Sequence, residues 1–167
     1  MYDPVMPPKT PYADDLADRE PIGSIRNSLA RIGSLASAWS PQEFERTYAP
    51  GKWPARKILT HLAQSELAFG NRARMALAAP QRDYVAQPFN QDVWMEREST
   101  LGGREALDAL LSLSAMNAAL YASLSPADRA VAFTHPEYGA LTIDWLIHQT
   151  AGHLLHHLKQ LETLATR

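Results

Sequence analysis

Apolar residues recur at three- and four-residue steps through four long stretches of this chain, the pattern of helices that bury one face. The first runs from about Asp15 to Ala38 and places Ile22, Ile25, Leu29, Ile32 and Leu35 on one side. The second, from about Pro54 to Ala78, carries Ile58, His61, Leu62, Ser65, Phe69, Arg72 and Met75 or Ala76 near one seam. The third spans about Arg104 to Leu124, with Leu107, Leu110, Leu111, Ser114, Tyr121 and either Asn117 or Ala118 along one side. The fourth starts near Leu141 or Thr142 and ends near Ala165; its seam of Leu146, Thr150, His153, His157, Leu161 and Leu164 steps by 4, 3, 4, 4 and 3.

Short connecting segments carry their own signals. Ser40-Pro41-Gln42-Glu43 and Ser125-Pro126-Ala127-Asp128 each combine an N-cap serine, proline at the first helical position and an acid at the third, which predicts two short capped helices. Aligning Gly51 with Gly139 superposes the two halves of the chain as a weak internal duplication that pairs Ile58 with Leu146 and His61 with Gln149. Strand signals are nearly absent. The expectation is an all-α four-helix bundle as one domain over 15–167, preceded by a proline-rich arm over 1–14 with Pro4, Pro7, Pro8 and Pro11. The connector from Pro80 to about Leu101 is long for a compact domain. It suits either a cover over a site mouth or a partly helical link.

Composition narrows the chemistry. The 167 residues include 46% apolar and 20% charged, carry a formal charge of −2 and contain no cysteine. A metal would therefore rest on imidazole, carboxylate or water. Scattered Arg and Lys give no basic stripe to track phosphates, so nucleic acid is not the expected partner. No apolar run approaches the roughly 20 residues that cross a bilayer, so no membrane partner is expected either. The first residues lack a basic region followed by an apolar core. A cytoplasmic protein acting on a small molecule is the expectation, with a homodimer as the assembly.

Four of the six histidines fall between His148 and His157. His153 and His157 stand four apart on the inward seam, where two imidazoles can share one ion. His156 shares a more polar stripe with Gln149, Gly152 and Gln160, and His148 lies 140° round from His153; both are set aside, as is His135 in its Thr-His-Pro loop, as surface residues. Two buried imidazoles without a metal each need hydrogen-bond partners, and two protonated rings would repel. A cation resolves both problems; a hydrogen-bonded core pair is the alternative. His61, on the seam of the second helix, is the remaining histidine placed inside a helix and supplies the candidate third ligand. Three neutral imidazoles leave coordination positions open. Ser65, Gln149, Asp92 and Glu66 are candidates for lining the site, although Glu66 sits 140° from His61 and reads chiefly as a salt-bridge partner for a nearby arginine. Trp39, Trp53, Trp94 and Trp145 read as anchors packing helix ends.

The segments Ala49-Pro-Gly-Lys-Trp53, Ile58-Leu-Thr-His61-Leu-Ala-Gln-Ser-Glu66, Phe89-Asn-Gln-Asp-Val-Trp94, His135-Pro-Glu-Tyr-Gly139 and Ala151-Gly-His153-Leu-Leu-His156-His157-Leu158 resemble the DinB/YfiT-like superfamily. The resemblance covers residue 20 or so to the end. It implies a bundle of up-down-down-up topology and a divalent ion, zinc or nickel, on one histidine of the second helix and two of the last. Those positions are His61, His153 and His157. It further implies hydrolase, isomerase or transferase chemistry, in some relatives with a low-molecular-weight thiol as cosubstrate. Where the family loop often reads Phe-Asp-Gln-Asp, this chain has Asn90, which leaves the substrate class open. The reading is a metal-dependent hydrolase or thiol S-transferase; the alternative is a non-catalytic, metal-binding or stress-associated dimeric bundle.

Overall fold

The computed structural model describes residues 6–79 and 83–165. Proline 4 of the arm and residues 80–82 of the long connector, on which sequence expectations also fall, lie outside them. The elements are α1 (Ala13–Leu16), α2 (Pro21–Ala36), α3 (Pro41–Phe44), α4 (Ala55–Ala78), α5 (Gln91–Arg97), α6 (Gly103–Ser123), α7 (Pro126–Arg129), β1 (Ala132–His135), β2 (Gly139–Thr142) and α8 (Ile143–Ala165). The four long helices α2, α4, α6 and α8 form the bundle.

Side-chain contacts fix their directions. Arg31 near the end of α2 pairs with Glu162 near the end of α8, so these helices run parallel. Arg104 at the start of α6 donates to the Ser37 carbonyl just past α2, which makes α2 and α6 antiparallel. Asn117, late in α6, meets Glu66 and Arg74 in the second half of α4, and α4 and α6 are parallel. His61 early in α4 meets His153 and His157 late in α8, so that pair is antiparallel. The result is the up-down-down-up bundle. Two parallel neighbours cannot be joined by a tight turn, and the α4–α6 connector over 79–102 is long for that reason.

Local chemistry explains most boundaries. Pro54 caps α4 in extended conformation, and Ser40 and Ser125 each close a reciprocal capping box with Glu43 and Asp128. Gly51 and Gly139 both take positive φ, +71° and +73°, in the turns that feed α4 and α8. The two halves of the chain thus repeat the same devices. Two expectations need correction. The first helix does not run on from Asp15: α1 ends at Leu16, where Ala17 takes a φ of +50°, and Pro21, which lacks an N–H and holds Glu20 extended, starts α2 with Glu20 as its N-cap. The segment before α8 is a β-hairpin, pairing Ala132 with Thr142 and Phe133 with Leu141. Four-residue strands are too short to show alternation above noise. The Ala86 N–H donates to the Thr134 carbonyl and the Thr134 N–H donates to the Tyr84 carbonyl, which ties the long connector to β1 of the hairpin.

The seam predicted for the last helix is buried throughout, from Leu146 to Leu164. Glu66 differs from its expectation. Among the described residues it makes no salt bridge; it is 2% exposed and faces α6, where Asn117 Nδ2 donates to its carbonyl and to its Oε2, each at 2.8 Å. Arg74 reaches the same cluster through Asn117 Oδ1 and the Gly70 carbonyl, not through the carboxylate. Burial pushes the Glu66 carboxyl up to about 7. A carboxyl raised in the fold favours its protonated form, so its contribution is complete below about pH 4.5 and is lost as pH rises through about 7. Thermal melts at pH 5 and pH 8 should therefore show Glu66→Gln gaining several degrees on the unsubstituted protein over that interval. A constant gap would place the carboxylate in water.

The N-terminal arm is seated rather than free over the described residues. The Trp145 indole donates to the Pro8 carbonyl at 2.6 Å, Leu16 is buried, and Asp15 takes hydrogen bonds from Lys159 and His156. Its close approach depends on Gly152: a Cβ there would stand 2.5 Å from the Tyr12 carbonyl oxygen. Alanine at 152 gains about 1 kcal/mol of helix propensity yet collides with arm backbone. Gly152→Ala should release the arm while the bundle stays folded, read as lost hydrogen-exchange protection at residues 13–17 with α8 still protected.

Candidate metal and substrate site

His61 comes from the third position of the second turn of α4, and His153 and His157 from successive turns of α8. Because α4 and α8 are antiparallel neighbours, their seams face each other and the three rings meet edge to face, with centroids 4.7 to 5.1 Å apart. Their Nε2 atoms converge: His61 to His153 at 2.9 Å and His157 to His153 at 3.1 Å. All three residues are buried and each offers a nitrogen within 4.8 Å of the others. Two ligand nitrogens on a tetrahedral ion at 2.0–2.1 Å are about 3.3 Å apart, close to these separations. The trio read from the sequence is the trio the fold assembles.

Burial drives all three rings toward the neutral form. Desolvation is the largest cause at each, lowering His61 to about 3 and His157 to about 4 and holding His153 well below its ordinary value; neighbouring imidazoles add to it. Neutral imidazole is the form that coordinates a cation. At His157 the tautomer follows from its partners. Gln160 Nε2 donates to His156 Nε2, and Gln160 Oε1, 2.7 Å from His157 Nδ1, accepts the proton there. The His156 Nδ1–H is then free to donate to Asp15. His157 Nε2 is left with a lone pair aimed at the other two rings. Outer partners of this kind orient a ligand and raise its basicity. His61 is wedged by the Trp53 ring at 5.5 Å, and its Nδ1 has no hydrogen-bond partner among the described residues.

A cavity of about 230 Å³ opens beside His61 and His153. Ser65, Phe69 and Arg72 line it from α4, and Leu146 and Gln149 from α8. The hairpin adds Phe133, His135 and Leu141, and the connector adds Phe89 and Gln91. Tyr12 closes it from the arm, its ring 5.0 Å from those of both His153 and His156.

Of the lining residues expected from sequence, Ser65 and Gln149 are in place. Asp92 is not: it lies exposed in the first turn of α5, and Gln91 reaches the cavity instead. Glu66 faces α6, away from the rings. His135 is the chief surprise, 4% exposed on the hairpin rather than on the surface, with its Nδ1 accepting from the Glu137 N–H at 3.2 Å. No hydropathy pattern marks it, because its burial comes from a hairpin turning back over α8. Tyr12 was equally hidden, since a proline-rich lead shows no periodicity. His148 is half-exposed and bonds the Asp144 carbonyl, and His156 belongs to the outer network. The connector combines both readings open to it: α5 is helical, and Phe89 covers the cavity. Trp145 seats the arm and Trp39 packs on Phe44, as anchors do, whereas Trp53 supports a histidine.

The fold recurs in known proteins. A "putative metal-dependent hydrolase" of Oceanobacillus iheyensis is 29% identical over 127 residues, covering 75% of this chain and 73% of that protein. A second protein of the same description, from Bacillus mycoides, is 29% identical over 148 residues, 87% of this chain and 82% of its own. Among solved structures, YfiT from Bacillus subtilis, described as "a probable metal-dependent hydrolase with an unusual four-helix bundle topology", superposes with a TM-score of 0.77 at 21% identity, over 99% of this chain and 93% of its own. A mycothiol-dependent maleylpyruvate isomerase superposes with a TM-score of 0.67 at 14% identity, over 89% of this chain and 62% of its own. Residues 24–161 match the profile of the DinB superfamily, and the chain belongs to that superfamily.

Proposed function

We propose that this protein is a metal-dependent enzyme that holds one divalent ion on His61, His153 and His157 and acts on a small molecule admitted through the adjoining cavity. The observation that carries the reading is the convergence of three buried Nε2 atoms, those of His61 and His157 lying 2.9 and 3.1 Å from that of His153. Three neutral rings in contact have too few protons to satisfy every lone pair turned inward, and a cation removes that deficit. When bound, such an ion polarises water or a thiol toward its anionic form.

The chain's own residues define the rest of the chemistry. His61 and His153 both border the cavity, so the open side of the trio is the side substrate approaches. Ser65 and Gln149 offer polar contacts beside that face, and Phe69, Phe89 and Phe133 give the cavity aromatic walls. No cysteine is present to act as nucleophile, which suits hydrolysis or transfer to a thiol supplied in solution. The relatives described as metal-dependent hydrolases support the first, and the fold shared with a mycothiol-dependent enzyme supports the second. Zinc or nickel is the metal this donor set suits.

Untagged protein analysed by mass spectrometry should contain about one zinc or nickel ion per chain, and His61→Ala or His153→Ala should abolish it. At free metal one hundredfold above Kd the folded state gains ~2.7 kcal/mol, roughly 5–10 °C of melting temperature for a chain of this length. Chelation should remove that gain. Metal content far below one ion per chain, unchanged by either substitution, would reject the reading. With metal present, a panel of esters and of thiols paired with electrophiles separates hydrolysis from transfer.

A further inference from the structure

Arg72 is a charge with no stated work. It lies on the same seam of α4 as His61, Ser65 and Phe69, about 16 Å along the helix from His61 at 1.5 Å per residue, and it borders the same cavity. Its side chain is 8% exposed. Its one side-chain hydrogen bond among the described residues goes from Nη2 to the Gln87 carbonyl at 3.0 Å, and none of the ion pairs includes it. Glu137, exposed on the hairpin turn and bordering the same cavity, is a carboxylate whose charge reaches it, but the two form no ion pair among the described residues. Burying a guanidinium without an anion is costly. The faces of Phe69 and Phe89, 5.8 and 6.0 Å from Cζ, offset part of that cost, as cation–π contacts do. Most of the five donors of the fork remain open.

We infer that Arg72 binds the carboxylate of the substrate, and that this protein acts on small carboxylic acids with an apolar or aromatic body. The inference rests on the site proposed above and names the ligand class it takes. Phe69 links the two ends: its ring is 5.8 Å from Arg72 Cζ and 6.1 Å from the His153 ring. A ligand with its acid on Arg72 therefore lays its body along Phe69 and Phe133 and brings its far end to the histidines. A carboxylate suits the place better than a phosphate, because a single cation among aromatic walls matches one negative charge and a planar bidentate acceptor. The cavity, about 230 Å³, is smaller than those that take drug-sized ligands. Gln149, whose buried Oε1 has no hydrogen-bond partner among the described residues, is placed to accept from a hydroxyl or amide on the ligand between the two ends.

Phenylacetate and its neutral isostere phenylacetamide test the inference by calorimetry on metal-loaded protein, on chelated protein and on Arg72→Gln. The acid should bind roughly tenfold or more tightly than the amide, the range of a charged hydrogen bond. Arg72→Gln should erase that preference while keeping affinity for the amide and the full metal content, and Arg72→Lys should restore part of it. The preference should survive chelation. A preference that persists in Arg72→Gln, or that disappears with the metal alone, would assign the acid to another group and overturn the inference. Equal loss of acid and amide in Arg72→Gln would make Arg72 a brace for the connector, as would absence of binding by both probes to the unsubstituted protein. Should Arg72→Gln not fold, the Arg72→Lys comparison carries the test, and an unchanged acid-to-amide ratio there would overturn the inference. Metal content is read on the same samples: an Arg72-dependent acid preference in protein that takes up no metal would reject the metal reading and leave the acid site standing, and full metal content with no Arg72-dependent preference would do the opposite.

Discussion

Three buried imidazoles turned inward at one point between α4 and α8 are the constraint around which this molecule is arranged. Each ring is desolvated, each is neutral, and the Nε2 atoms of His61 and His157 lie 2.9 and 3.1 Å from that of His153. Such a group can hold a metal ion, and its geometry depends on how its outer nitrogens are held. At His157 the outer nitrogen is held by a relay through Gln160 and His156 to Asp15, so a ring orientation in α8 depends on a carboxylate in α1. The arm thereby borders the site, and Gly152 leaves the room that lets Tyr12 approach α8.

The same constraint accounts for the topology. His61 and the His153–His157 pair must face one another, which requires α4 and α8 to be antiparallel neighbours. With α2 parallel to α8 and α6 parallel to α4, the connections cannot all be short. The chain uses the extra length: the 79–102 connector brings Phe89 and Gln91 over the cavity, and the 130–142 segment folds into the hairpin that contributes Phe133 and His135. Loops that satisfy the bundle's connectivity thus become the walls of its pocket.

What the sequence made legible follows the physics of periodicity. The four long helices, the two capping boxes and the inward direction of His61, His153 and His157 are all consequences of 3.6-residue repetition and of local hydrogen bonding, both visible in a single chain. Glu66, Asp92 and His135 were misplaced because their surroundings are set by neighbours distant in sequence. Glu66 is paired by Asn117, 51 residues away; Asp92 loses its place to Gln91 through the phase at which α5 starts; His135 is buried by a hairpin of two four-residue strands. Tyr12 belongs with these, its position fixed by a glycine 140 residues downstream.

The duplicated half-structure explains why the site is unequal on its two sides. Both halves run long helix, capped turn, glycine of positive φ and long helix, and the alignment on Gly51 and Gly139 sets His61 against Gln149, and Ser65 and Phe69 against His153 and His157. In the folded bundle all six of these residues stand at or beside the meeting of α4 and α8, two equivalent seams crossed against each other. Three positions carry imidazole, and Ser65, Phe69 and Gln149 leave one side of the cluster open to a cavity. Had both seams carried histidine at every equivalent position, the rings would have filled the space that a substrate needs. The asymmetry between two similar halves is what turns a packed polar core into a site with an entrance.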